Sequence, residues 1–174
     1  MKRFALAIVA VVLLLAIFSP PIMPFYWHLR YGEAMEFQGR RVPVPRHWYP
    51  KREFRRLDLV KPPLTVFSLV NPPPVWSFIG PLGGVQPVDV DEAYRSFETH
   101  YQEYGVRTGQ VVSEPVRLGS GEYQSVCIKR SPERSREQSA VSCDLFAGTW
   151  MGEFVGPTDE VDNFLQVIRG MAEK

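Results

Sequence analysis

The chain is poor in the residues that carry most enzymatic and metal chemistry: of its 174 residues, two are cysteine and three histidine. His28, His47 and His100 are scattered, so no pair stands at the i, i+4 spacing of a helical zinc site, and no Cys-x-x-Cys occurs. Asp89, Asp91 and Glu92 cluster at the start of an apolar helical pattern, which reads as helix capping rather than calcium binding. Ser120 is the only glycine-flanked serine and lacks the five-residue nucleophile elbow. Gly80, Gly83 and Gly84 lack both the phosphate-loop lysine and the dinucleotide-binding spacing. A dyad of Cys127 with His100 has no local signature to support it. The sequence therefore names no catalytic residue, no metal ligand and no cofactor.

What it does contain is one long apolar run. Lys2 and Arg3 precede uninterrupted apolar residues from Phe4 to Phe18, followed by Ser19-Pro20-Pro21 and the ring cluster Phe25, Tyr26, Trp27. The basic start and apolar core suit a secretory signal peptide, but no small-x-small cleavage site closes the run, and no lipoprotein cysteine follows. A membrane span needs about 20 apolar residues, which the run reaches only if it continues through the prolines to Trp27. Those prolines are expected to kink or end the helix near Ala16 and Ile17, and the three rings suit the headgroup level. The reading is a retained anchor over residues 1–31 and one extracytoplasmic domain over residues 32–174, with secretion after cleavage as the alternative. Lys2 and Arg3 place the N-terminus in the cytoplasm. Arg30, Arg40, Arg41 and Arg46 on the far flank pull the other way.

The net charge of +1 hides an asymmetry. Through Lys61 there are eleven Lys/Arg against four Asp/Glu, and beyond it nine against fifteen. A basic segment next to the membrane can hold anionic headgroups, at about 1 kcal/mol per nearby cation; a solvated sheet border accounts for it equally well. Nucleic acid is not indicated, for no binding motif is present.

About 140 residues remain after the anchor, the size of one domain. Met35 to Trp48 reads as a hairpin about a Gln38-Gly39 turn, its second arm weakened by Pro43 and Pro45. Leu57–Val60 and Leu64–Val70 read as a strand pair. Asn71 to Pro87, with Pro72-Pro73-Pro74, reads as a stiff surface loop that carries Trp76 and Phe78, and a polyproline ligand is the minor alternative. Asp89 to Tyr104 is a helix, with Val90, Ala93, Phe97, Tyr101 and Tyr104 on its apolar stripe and Gly105 at its stop. Strands follow at Gln110–Val112, Pro115–Leu118, Glu122–Arg130 and, across a charged hairpin tip, Ala140–Val155. Thr158 caps a closing helix with Val161, Phe164, Leu165, Ile168 and Met171 on one face.

The last hairpin has two candidate registers. Placing Cys127 opposite Cys143 permits a disulfide, in line with an exported domain. A slip of one residue pairs Val126 with Leu145 and Ile128 with Cys143, a better apolar match that separates the sulfurs. The pattern alone leaves both open.

The order of elements, with "VPVPRHWY", "DVDEAYRSFETHYQEYG", "GEYQSVCIKR", "AVSCDLFAGTWMGEFVG" and "TDEVDNFLQVIRGM", and with Pro45 and Trp48 as a Pro-x-x-Trp, resembles the PsbP-like domain family, related to an extrinsic subunit of photosystem II. The resemblance implies an α+β fold, an antiparallel sheet with helices on both faces (an α/β/α sandwich), and a role in binding or assembly rather than catalysis. No metal or active-site residues of that family map onto this chain, and the Pro-rich insertion at 71–87 departs from its pattern.

Three function classes follow. The first is an anchored binding or assembly module that meets a protein partner at the membrane through Arg40, Arg41, Arg46, Trp48, Tyr49, Arg52, Arg55, Arg56, Trp76 and Phe78. The second is an extracytoplasmic enzyme or small-ligand carrier. The third is a surface for anionic lipid built on the basic half.

Overall fold

The computed structural model describes residues 10, 11, 13, 14, 22–62, 74–82, 89–120, 123–132 and 138–172. Within them lie three helices, a two-stranded hairpin and an eight-stranded antiparallel sheet, an α+β fold. Among the described residues no helix is long and apolar enough to cross a membrane.

The first helix, α1 (Ile22–Tyr31), begins directly after Pro20-Pro21. The kink or helix end expected near Ala16 and Ile17 lies outside the described residues. The first-turn N–H groups have no partner inside a helix, so Pro24 costs nothing there, and its ring is buried. Gly32 stops α1 at φ 84°, its N–H returning to the His28 carbonyl at 2.9 Å. Strands β1 (Ala34–Phe37) and β2 (Arg40–Pro43) form the hairpin read from the sequence. Gln38 and Gly39 both have positive φ, the turn that matches strand twist.

The large sheet begins with β3 (Tyr49–Arg52), β4 (Arg56–Val60) and β5 (Val75–Ile79), in that order across the sheet. Two expectations are corrected here. The partners of β4 are β3 and β5, which occupy both of its edges, so Leu57–Val60 does not pair with Leu64–Val70; the latter lies outside the described residues. The stretch read as a surface loop contains β5, an interior strand: Trp76 and Phe78 alternate onto the core face, and both are fully buried. The triple proline masked this strand, because proline disfavours sheet interiors while the strand begins only after it.

Next in the chain is α2 (Val90–Thr108), capped by Asp89, whose carboxylate accepts from the Asp91 N–H at 2.9 Å. It runs on past Gly105 to a stop at Gly109, with φ 66°. Gly105 is instead a contact point, buried where a Cβ would stand 2.7 Å from the Val112 side chain. Strands β6 (Gln110–Val112) and β7 (Val116–Leu118) share one edge of β8 (Ser125–Pro132), whose other edge pairs with β9 (Gln138–Leu145). The long strand expected over Ala140–Val155 is two strands. The chain turns at Phe146–Thr149, where Phe146, Ala147 and Gly148 all have positive φ, and returns as β10 (Trp150–Pro157) between β9 and β5. Two apolar strands with an apolar turn read as one continuous run. Where Thr158 was expected at the cap, Pro157 stands there without a side-chain cap; Thr158 is the first residue of a 3-10 turn (Thr158–Glu160) that leads into α3 (Val161–Ala172), and its hydroxyl lies 2.8 Å from that of Ser139.

Register decides which helix covers which face. Leu145, Cys143 and Val141 stand opposite Trp150, Gly152 and Phe154, and this face joins Trp76, Phe78 and Phe164 of α3 in one core. Trp48 stacks on Trp76 at 3.8 Å, and Phe78 stacks on Phe164 at 5.7 Å. Each such ring, fully buried, contributes about 2–3 kcal/mol. Val126, Ile128 and Arg130 point to the opposite face, where Arg130 lies over the Tyr101 and Tyr104 rings of α2.

Candidate functional site

A groove of about 500 Å³ opens between the connection from β2 to β3 and the start of α3. Pro43 to Trp48 form one wall, Asn163, Gln166 and Val167 the other, with Glu33 at the rim and Lys61 and Glu160 in the floor. Proline supplies the wall's shape: Pro43 ends β2 opposite Ala34, the Val44 N–H still donates to the Glu33 carbonyl at 2.9 Å, and Pro45, with no N–H, cannot carry the ladder further, so the chain crosses towards β3. The Trp48 ring is 2% exposed and anchors this crossing in the core.

Glu160 is the chemical centre. It is buried, it forms an ion pair with the Lys61 ammonium, and it accepts from Asn163 Nδ2 at 3.0 Å. Burial favours its neutral form. The hydrogen bonds from Asn163 and Lys61, with the charges of Lys61 and His47, outweigh that and hold the carboxyl below its ordinary range. The floor is thus a neutralised pair, while Arg46 and His47 on the rim are exposed and carry no ion pair among the described residues. Two amides, the imidazole of His47 and the one rim guanidinium of Arg46, with the exposed Glu33 across from them, suit hydrogen bonding around a single fixed positive charge.

Above the groove, His28 joins α1 to the domain. Its Nδ1 lies 2.7 Å from the Gly32 carbonyl and its Nε2 2.9 Å from the Pro45 carbonyl. Trp27 packs on the core beside it.

The residues singled out from sequence separate into two groups. Trp48, Trp76 and Phe78 are core residues and Tyr49 is half-buried, so the aromatic part of the expected contact surface does not exist as a surface. Trp76 and Phe78 alternate onto one face of β5, where they pack with Trp48, Phe154 and Phe164. Arg40 is half-buried, its guanidinium 3.5 Å from the centre of the Phe146 ring. Arg56 bonds Asp58 at 2.8 Å and Ser77 at 3.0 Å on the sheet face opposite the core. Arg41, Arg46, Arg52 and Arg55 are exposed.

Cys127 and Cys143 face each other across β8 and β9 and are disulfide-bonded, both 2% exposed. The Cys–His dyad does not form: both sulfurs are consumed in the bond, and His100 is exposed on α2, against the other face of the sheet. Among the described residues no group of three or more His, Cys, Asp or Glu could hold a metal ion. Sequence reasoning missed the groove because Lys61 and Glu160, 99 positions apart, carry no local signature.

No family model matches the chain, and no curated protein matches it.

Proposed function

We propose that the protein is a membrane-anchored, extracytoplasmic binding module whose groove receives an acidic segment of a partner protein. The observation that carries this reading is the groove itself: a buried, ionised Glu160 fixes Lys61 in the floor and leaves Arg46 to meet a negative group, with the His47 ring beside it for hydrogen bonding. Asn163 and Gln166 supply hydrogen bonds for a polypeptide backbone. The disulfide is consistent with a domain outside the cytoplasm. The apolar run from Phe4 to Phe18 is its anchor, with the N-terminus cytoplasmic. We read the arrangement of α3 on the core face and α2 on the other as a three-layer sandwich similar to PsbP-like domains; the likeness lies in the order of elements, and fold analogy alone does not name a partner.

The test places a photo-crosslinking residue at Gln166, exposed in the groove wall, in the full chain within native membranes. A discrete protein adduct that disappears with Arg46→Glu, and does not form from a probe at Val106 on α2, is the expected outcome. No adduct, or one that Arg46→Glu leaves unchanged, removes the groove from binding.

A further inference from the structure

The β3–β4 hairpin closes on the shortest connection two strands allow. Glu53 N–H donates to the Arg56 carbonyl at 2.8 Å and Arg56 N–H to the Glu53 carbonyl at 3.3 Å, leaving Phe54 and Arg55 as the loop. Two-residue loops favour Asn-Gly and related pairs, whose backbones tolerate the turn and whose side chains suit water. This loop holds a ring and a cation instead, and Phe54 is 85% exposed.

The loop is braced from behind. Gln38 Nε2 donates to the Phe54 carbonyl at 3.0 Å and Gly80 N–H to the Arg55 carbonyl at 3.1 Å. The hairpin β1–β2 and the end of β5 therefore both hold the tip, and the ring projects from a fixed base. Arg55 lies beside it, and Lys51 and Arg52 precede it on β3, against the Tyr49 and Phe37 rings; all three are exposed and none is in an ion pair among the described residues. Arg55 lies 5.6 Å from the Phe54 ring centre. Glu53 closes the base of the loop, and Asp58, opposite Lys51 on β4, is bonded to Arg56.

We propose that this tip is a membrane contact: the Phe54 ring enters the interfacial layer of an anionic phospholipid bilayer while Lys51, Arg52 and Arg55 meet its phosphates. A single ring among cations matches a bilayer, which offers apolar depth directly beneath negative headgroups. The same side chains on a protein would require an apolar pocket walled by acid. The neighbouring surface continues the pattern, for α1 packs against β3 and exposes Phe25, Tyr26, Leu29 and Tyr31. With the anchor at one point and the tip at a second, the domain would be held in one orientation above the membrane. That orientation rests on the anchored reading; the lipid contact of the tip does not.

The test uses the full chain with Phe54→Cys carrying an environment-sensitive fluorophore, attached without reductant so that Cys127–Cys143 stays closed. Val106→Cys on α2, 89% exposed, serves as the control position. Each is mixed with vesicles of phosphatidylcholine, or of phosphatidylcholine with phosphatidylglycerol, containing quencher lipids. The expected result is a blue shift and quenching at position 54 and not at 106, increased by phosphatidylglycerol. Arg52→Gln with Arg55→Gln should weaken the response on the order of tenfold. A chain that floats with the vesicles but shows no quenching at 54 overturns the tip contact and leaves the anchor standing. Quenching at 54 without stable flotation supports the tip and refutes the anchor. Equal quenching at both positions, or indifference to phosphatidylglycerol, overturns the proposal, as does a position-54 probe that is shielded only by a membrane protein.

Discussion

Removal of the Cys127–Cys143 bond is the perturbation whose magnitude follows most directly from the chain. The bond closes a loop of 16 positions across β8 and β9. In the chain-entropy treatment a loop of that length restricts the unfolded state by about 3 kcal/mol at 25 °C. The folded state adds a smaller loss, since the Cys127→Ala/Cys143→Ala variant leaves two methyl groups where two buried sulfurs touched. The strands also keep their neighbours: Val126 opposite Asp144, Ile128 opposite Ser142 and Lys129 opposite Val141 are held by ladder hydrogen bonds whether or not the sulfurs are joined. The variant should therefore fold, with a melting temperature lower by roughly 6–12 °C. Differential scanning fluorimetry of the full chain in detergent, with wild type measured with and without reductant, checks this. The reduced wild type should fall towards the variant. A change below about 0.5 kcal/mol, or reduced and oxidised proteins melting together, would show that the bond does not constrain the unfolded chain as argued.

Three further outcomes are expected. Glu160 has a folded pKa below its ordinary value, so its contribution is present above the unfolded pKa and is lost as pH falls through the folded one; urea titrations from pH 6 down to pH 3 should show a loss of stability that Glu160→Gln flattens, and an unchanged slope in the variant would refute the assignment. Asp144 is the opposite case: burial raises its pKa, so its ionised form is unfavourable at neutral pH and the cost is relieved as pH falls through the folded value. Asp144→Asn should accordingly hold or raise the midpoint of denaturation at pH 7, and a drop of more than about 1 kcal/mol would mean that the carboxylate has a partner that compensates its burial. Gly105→Ala should destabilise by about 1–3 kcal/mol despite alanine's better helix propensity, because the new methyl meets Val112 at 2.7 Å and the Gln110 carbonyl at 2.9 Å; a stabilised variant would show that α2 shifts freely on β6.

Elements with one strong local signal were legible in the sequence. Asp89 before an apolar stripe gave the start of α2, the Gln38-Gly39 pair gave the β1–β2 turn, and the apolar face of α3 is the one packed in the core. What failed did so where a local rule met a tertiary demand. Gly105 has the look of a helix stop, but a glycine is also what a helix needs where a strand comes close, and that use won. Pro72-Pro73-Pro74 suggested surface, and the rings at 76 and 78 were assigned to it, although proline immediately before a strand leaves the strand's own ladder intact. The groove was not legible at all, since its floor joins the end of β4 to the start of α3.

The register of β8 against β9 shows how an apolar match can lose. The slipped pairing would set Val126 beside Leu145 and Ile128 beside Cys143, an attractive choice if the two strands stood alone. In the sheet they do not: β9 also pairs with β10, where Leu145, Cys143 and Val141 must face the core with Trp150, Gly152 and Phe154. That fixes the inward face of β9. On β8, Val126 and Ile128 find apolar cover on the opposite face, against which α2 is packed, so they need no place in the main core. The observed register satisfies both layers and brings the sulfurs together as a consequence. The second layer, α2, is therefore what makes this register affordable in apolar area: substitutions that detach α2 should expose Val126 and Ile128 together, and hydrogen exchange in Val126–Arg130 should rise with that in Val90–Thr108 while β10 stays protected.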